Sequence, residues 1–441
     1  MRRSGYCGGR RFVIRWLWSI ILSASLLGYG ALGFAESSVQ PNESLASLVY
    51  RFLDTDKANE AERLLQAILS DDTASVEVVS QIIGGEGAYQ GQPVEILPRE
   101  EITVRGHTYP LSLFIPASYQ TSKSYALIVC LHGYGFTGEE YLERWRARLG
   151  EGYLLACPTY PSGAWFTRHA EELVLETIRE VRRQYHIDPN RVFLTGMSNG
   201  GIGAWLIGMH HASLFAGLAP MASGLDDVLL PFLENLRNTP VYVIHGAKDQ
   251  VMPVRLSQSI VRELETLGYP HVYREHQREH PIAGGHYFPK EELPDLIAWF
   301  NSQRREPLPT RLTVVRDASH FQSFSWIRID STDPIAAFSQ DLVDKRDERI
   351  KRREYAKVDA AIVETNRIEV TAERVQRYSL FLNDQLIDFA KPLTVVTNGR
   401  LSFSGSVSPS VETLLRQARL RQDPQQLFPV HLTVVIEKPT S

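Results

Sequence analysis

Cysteine is scarce: Cys7, Cys130 and Cys157 are the only three in 441 residues. Three cysteines build no disulfide framework, and the absence of CxxC pairs and of clustered Cys/His spacing gives no pattern for a zinc site. Cys130 and Cys157 sit in apolar, strand-like runs, YALIVCLHG and YLLACPTY, where buried free thiols are expected. An excess of either charge is also missing. Lys+Arg number 47 against Asp+Glu 51, a net charge of -4, so there is neither a basic footprint for nucleic acid nor an acidic tail. Beyond residue 35 no apolar run is long enough to span a membrane. Internal repeats and low-complexity tracts are lacking too.

What is present is ordinary globular material, 43% hydrophobic and 22% charged, long enough for two or three domains. The first 35 residues stand apart. Arg2, Arg3, Arg10, Arg11 and Arg15 precede the apolar WLWSIILSASLLGYGALG, and Gly33-Phe34-Ala35 offers small residues for cleavage before Glu36. The pattern predicts a signal peptide over 1–35 and a secreted or periplasmic protein, with an uncleaved N-terminal anchor as the alternative. Residues 36–95 carry apolar residues at helical spacing in ESLASLVYRFL and KANEAERLLQAIL.

From 96 to 306 apolar runs alternate with helical patterns, which implies a doubly wound, mainly parallel sheet covered on both faces. RREPLPTR reads as a proline-containing linker, and from 307 to 441 the alternation gives way to short strand candidates. Asn398-Gly399 between LTVVT and LSFSG is a hairpin signal, and the segment is expected to form a β-rich, sandwich-like domain. The mixed-charge run DLVDKRDERIKRREY reads as a solvated face, and Trp326, alternating with apolar neighbours, as core.

The chemistry gathers around RVFLTGMSNGGIGAW. Gly196-x-Ser198-x-Gly200 lies between a strand pattern and a helical one, the context of a nucleophile elbow. Small residues let the chain turn so tightly that the serine hydroxyl stands at the sheet's end, and the helix N-terminus favours developing negative charge. Three further segments supply partners. LIVCLHGYG ends a strand in His132-Gly133, which suits an oxyanion loop: the N–H groups of Tyr134 and Asn199 are the expected oxyanion donors, and His132 the residue that ties the loop down. VYVIHGAKDQVMP presents Asp249 after a strand, preferred over Asp226 and Asp227 as the acid that orients a histidine. HPIAGGHYFP presents His286 on a glycine loop, preferred over His276 and His280 as the base. The chain order Ser198, Asp249, His286 is one in which such triads occur. Trp165 and Phe166 could line an acyl or aryl pocket or belong to the core, and Glu171 and Glu172 open a helix, where acids suit its dipole.

On CLHGYG, HIDPNRVFLTGMSNGG, HGAKDQVMP and GGHYF, roughly half the chain resembles the α/β-hydrolases. It is most similar to secreted esterases of the feruloyl esterase and polyhydroxybutyrate depolymerase-like group and to phospholipase/carboxylesterase relatives. The resemblance implies a serine esterase acting through Ser198, His286 and Asp249 without metal or organic cofactor, on a polymeric or aryl ester, with no nucleic-acid partner. A prolyl-oligopeptidase-like peptidase shares the frame, although residues 36–95 are too few for that group's β-propeller. A non-catalytic binding protein on the same scaffold is the other reading, and the intact triad candidates argue against it. The C-terminal domain is expected either to bind polysaccharide or cell envelope or to complete the fold.

Overall fold

Three helices, two of them capped by serine side chains, begin the described chain. The computed structural model describes residues 43–85, 100–320, 323–337 and 343–437, so the segment expected as a signal peptide and Cys7 lie outside the described residues. Helices α1 (Leu45–Asp54), α2 (Ala58–Leu69) and α3 (Val76–Gly84) follow the apolar spacing of the sequence. Ser44 and Ser75 cap α1 and α3 by accepting the N–H of Ser47 and Val78, which satisfies donors the first turn leaves unpaired.

The middle of the chain then alternates: β1 (Glu100–Val104), β2 (His107–Phe114), β3 (Tyr125–Leu131), α4 (Gly138–Leu149), β4 (Leu154–Pro158), α5 (Arg168–Gln184), β5 (Ile187–Met197), α6 (Asn199–His210), β6 (Gly217–Met221), β7 (Val241–Gly246), α7 (Arg255–Leu267), β8 (His271–His276) and α8 (Leu293–Ser302). Eight strands form one sheet in the order β1-β2-β4-β3-β5-β6-β7-β8. The β1–β2 hairpin turns through Arg105 and Gly106, both at positive φ, and β2 runs antiparallel to β4. From β4 to β8 every neighbour is parallel. The central strands are buried on both faces, which is why their sequences are continuous apolar runs. One face packs on α5, α6 and α7 through Leu173, Val174, Trp205 and Ile260, and the other on α4 and α8 through Trp145, Leu142, Leu296 and Phe300. This three-layer arrangement is the α/β-hydrolase fold.

The C-terminal region adds β9 (Arg311–Arg316), β10 (Ile327–Thr332), α9 (Val343–Lys351), β11 (Ala356–Glu364), β12 (Arg367–Glu373), β13 (Val375–Leu382), β14 (Leu393–Thr397), β15 (Arg400–Gly405), α10 (Val411–Arg421) and β16 (Val430–Val435). Its strands form two sheets, β15-β14-β12-β11-β9 and β10-β13-β16. Asn398 and Gly399, both at positive φ, make the hairpin turn between β14 and β15. Trp326 is core, its indole N–H donating to the Pro309 carbonyl. The first three helices dock here: Val49, Phe52, Leu64, Leu65 and Val79 bury against Leu414 and Leu415 of α10.

The segment RREPLPTR, expected as a linker, is instead built into the molecule. Arg305 is buried and reaches Asp423, Asn190 and the Ser213 carbonyl, while Leu308 belongs to a core that continues from the α/β layers into the β-rich region. Asn235 side-chain atoms pair with both the N–H and the C=O of Val315, and Lys357 meets Glu234 at 2.6 Å. Burial of this extent makes the β-rich region part of one compact unit rather than a tethered module.

Candidate active site

The parallel strands deliver the candidate residues to one edge of the sheet, because Ser198, Asp249 and His286 all follow the carboxyl ends of β5, β7 and β8. Ser198 stands between β5 and α6 at φ 59° and ψ −126°. A non-glycine residue there is strained, and strain of this kind persists only where the surroundings enforce it. They do: a Cβ at Gly196 would collide with the Gly200 carbonyl, and one at Gly200 with the Leu131 carbonyl. The Ser198 N–H donates to the Met221 carbonyl at 3.0 Å, which pins the turn to β6. Asn199 is the first residue of α6, so its N–H belongs to the positive end of the helix.

Asp249 Oδ2 accepts from His286 Nδ1 at 2.7 Å, and Oδ1 accepts the backbone N–H groups of Val251 and Met252 at 2.9 and 2.8 Å. Burial pushes the Asp249 carboxyl up, but hydrogen bonds from His245, His286 and Met252 outweigh it and hold the group well below the usual carboxylate range. With Nδ1 engaged by the carboxylate, His286 has its Nε2 left for proton transfer, the tautomer a base needs. The loop carrying it closes tightly on Asp249, since a Cβ at Gly285 would strike the Asp249 N and the Lys248 carbonyl carbon. The rivals are placed otherwise. His276 is buried against the Tyr287 carbonyl, His280 is exposed and its backbone bridges to Gly284, and Asp226 and Asp227 are exposed beside a short helical segment.

His132 is fully buried. Its Nε2 accepts the Tyr160 N–H at 3.1 Å, so Nδ1 carries the hydrogen and donates to the Gly133 carbonyl at 2.9 Å. Burial pushes the imidazole below its ordinary value and keeps it neutral. It locks the loop that presents Tyr134 next to the 159–163 segment. Trp165 is a correction to the pocket expectation. It has no exposed surface, its indole N–H donates to the His132 carbonyl at 2.8 Å, and it packs edge-on to His132, so it is core beneath this loop. Neighbouring Phe166 is the exposed aromatic. It shares the loops at this edge with Tyr134, Phe136, Val251 and Ile282, all exposed apolar side chains.

Sequence reasoning missed a second cluster. Glu171, expected as a helix-dipole acid, is buried. It accepts from His210 Nδ1 at 3.1 Å, His211 Nε2 at 2.7 Å and His320 Nε2 at 3.1 Å. Glu172 does stay at the surface side, paired with Arg105 and Arg168. His320, from the loop after β9, also donates Nδ1–H to Asp317 at 2.7 Å. The donor atoms of Glu171, His210 and His320 lie within 4.8 Å of one another, a spacing that metal ligands also have. However, the His210 and His320 rings are stacked 3.6 Å apart at 19°, so their in-plane nitrogen lone pairs run side by side instead of converging on one ion. A hydrogen-bonded ionic cluster fits this geometry, with His320 as the cation: burial works against its charge, but Asp317 and Glu171 prevail and raise it to about 9. Burial, followed by the charge of His320, lowers His210 to about 4, so that ring is neutral.

No family model matches the chain. Acyl-protein thioesterase 1 of Gibberella zeae is 26% identical over 231 residues, 43% of this chain and 94% of that protein. Among solved structures, a thermostable esterase aligns with a TM-score of 0.41 and 24% identity, covering 48% of this chain and 64% of that one, just under two thirds of its length. A ferulic acid esterase aligns with a TM-score of 0.38 and 15% identity over 46% of this chain and 96% of that chain.

Proposed function

We propose that the protein is a secreted serine hydrolase that cleaves carboxylic esters through an acyl-serine intermediate. The observation that carries this reading is the strained Ser198 at a strand–helix elbow, on the same sheet edge as a His286–Asp249 pair bonded at 2.7 Å. In this reading His286 takes the Ser198 proton as the hydroxyl attacks the ester carbonyl. Asp249 holds the imidazole in the working tautomer and stabilises the imidazolium that forms. The N–H groups of Asn199 and Tyr134 receive the oxyanion. His286 then protonates the leaving alcohol, and water repeats the sequence on the acyl-enzyme.

The exposed apolar side chains at this edge support a lipophilic acyl or aryl group as substrate, and the thioesterase relative adds thioesters to the candidates. The burial of the β-rich region against the α/β layers supports completion of the fold as its role. Export is supported by the N-terminal sequence pattern alone, and recovery of exported protein beginning at Glu36 tests it. For the activity, a panel of p-nitrophenyl acyl esters, methyl ferulate and an acyl thioester is offered to the protein and to Ser198→Ala. Hydrolysis that vanishes in the variant is the expected result. Folded protein that hydrolyses nothing in the panel would remove the esterase reading.

A further inference from the structure

His245 ends one residue short of the carboxyl terminus of β7 and lies four residues before Asp249. Its ring is fully buried, and every neighbour of its two nitrogens is an acceptor. Nε2 lies 2.8 Å from the Met252 carbonyl oxygen and 3.2 Å from Asp249 Oδ2. A carbonyl and a carboxylate only accept, so Nε2 must carry a hydrogen. Nδ1 lies 2.7 Å from Ser257 Oγ on α7. Ser257 has one hydroxyl hydrogen, and it is directed at the Ser223 carbonyl 2.6 Å away. Toward His245 the Ser257 oxygen therefore presents a lone pair, and Nδ1 must carry a hydrogen as well. A neutral imidazole has one N–H; this ring needs two.

We infer that His245 is a buried imidazolium that grips Asp249 Oδ2 alongside His286, and that it is a positioning residue for the reaction. The inference rests on the serine-hydrolase reading. One carboxylate oxygen then serves two imidazoles, at 3.2 and 2.7 Å, while the other is fixed by two backbone N–H groups. The carboxylate cannot rotate away from His286. Its charge is also partly balanced before the reaction starts. Asp249 is the acid that touches the His245 ring, and Glu275, in register on β8, is itself occupied by the Tyr273 hydroxyl and Gln258. The other charged groups of α7, the helix that carries Ser257, are Arg255, Arg262, Glu263 and Glu265. His276 ends the same strand, and His286 is the other base that faces Asp249.

The sign of the consequence follows from this balance. If the positive charge is removed, the full charge of Asp249 acts on His286, which then holds its proton to higher pH. His245→Gln keeps an N–H donor but no charge. It is expected to move the acidic limb of kcat/KM upward by about one pH unit and to lower kcat about tenfold, with little change in KM. Ser257→Ala removes the acceptor at Nδ1, so a neutral ring can still serve Met252 and Asp249. It is expected to give the same shift of the limb with a smaller loss of kcat. A third measurement needs no turnover: in histidine-labelled protein, the ¹⁵N spectrum is expected to show hydrogens on both ring nitrogens of His245, identified by its loss in His245→Gln. A singly protonated His245, or an acidic limb that stays in place in both variants, would overturn the inference. If Ser198→Ala retains hydrolysis, the positioning role falls with the reading beneath it, whatever the spectrum shows.

Discussion

The molecule holds two carboxylates gripped by histidines, and they stand in different surroundings. Asp249 at the sheet edge accepts from His245 and His286, and the His286 ring keeps 13% of its surface exposed. Glu171 at the junction with the β-rich region accepts from His210, His211 and His320, and both the His210 and the His320 rings are buried. The ingredients are alike. What separates them is access and a neighbour: the first cluster faces an edge where a strained serine stands, and the second is sealed between α5, the end of α6 and the loop after β9. Carboxylate–histidine bonding alone therefore does not mark a catalytic site. In the sealed cluster the same bonds balance buried charge, with Arg316, also fully buried, donating to the Val315 and His210 carbonyls beside them.

Breaking each side of the comparison should produce opposite signatures. Ser198→Ala should reduce ester hydrolysis by about a millionfold while leaving the melting temperature unchanged, measured by turnover and calorimetry. Asp249→Asn should cost about ten-thousandfold in kcat, because the amide favours the wrong His286 tautomer, again with a folded protein. Glu171→Gln should do the reverse. It leaves the His320 cation short of one partner in a buried place and should destabilise the protein by about 3 kcal/mol in urea titration, with kcat retained below the transition.

The core assignment of Trp165 sharpens the same contrast. Trp165→Ala should cost about 3–5 kcal/mol, whereas Phe166→Ala at the exposed edge should leave stability within about 0.5 kcal/mol and change KM for lipophilic esters.

The last expected effect is that of pH on stability. His320 is raised from 6.5 to about 9 in the folded protein, so its contribution is complete below 6.5 and is lost as pH rises through 9. His210 is lowered from 6.5 to about 4, so the folded form loses ground as pH falls from 6.5 toward 4. Melting temperature should therefore be highest near neutrality and fall on both sides. His320→Gln should flatten the alkaline limb between those values; an unchanged limb would show that this cluster does not carry it.

Much of the site was legible because its chemistry is local in sequence. Gly196-x-Ser198-x-Gly200 lies between a buried strand and a helix, so the steric need for small residues is written into five consecutive positions. His286 was separable from His276 and His280 because only it follows two glycines that let a loop fold onto Asp249. The role of Trp165 was not legible, since an aromatic after a strand reads equally as lining or as core. The buried position of its indole was decided by its bond to the His132 carbonyl, 33 residues away. His245 was hidden for a similar reason. Its sequence neighbours mark it only as part of a strand end, and its charge follows from acceptors contributed by α7 and the Met252 turn. Glu171 was read from its helix position, but its partners lie 39, 40 and 149 residues further along.

The sequence by itself determined the alternation of strands and helices, the elbow, the order of the candidate triad and the change to β structure near residue 307. Periodicity, glycine placement and turn chemistry act over a few residues, and the chain records them directly. Only the tertiary structure decided that the β-rich region shares a core with the α/β layers, that the expected linker is anchored by Arg305, and which carboxylate–histidine cluster meets solvent. Burial and electrostatic balance are sums over groups distant in sequence. They come into being when the sheet, the helices and the C-terminal strands close on one another.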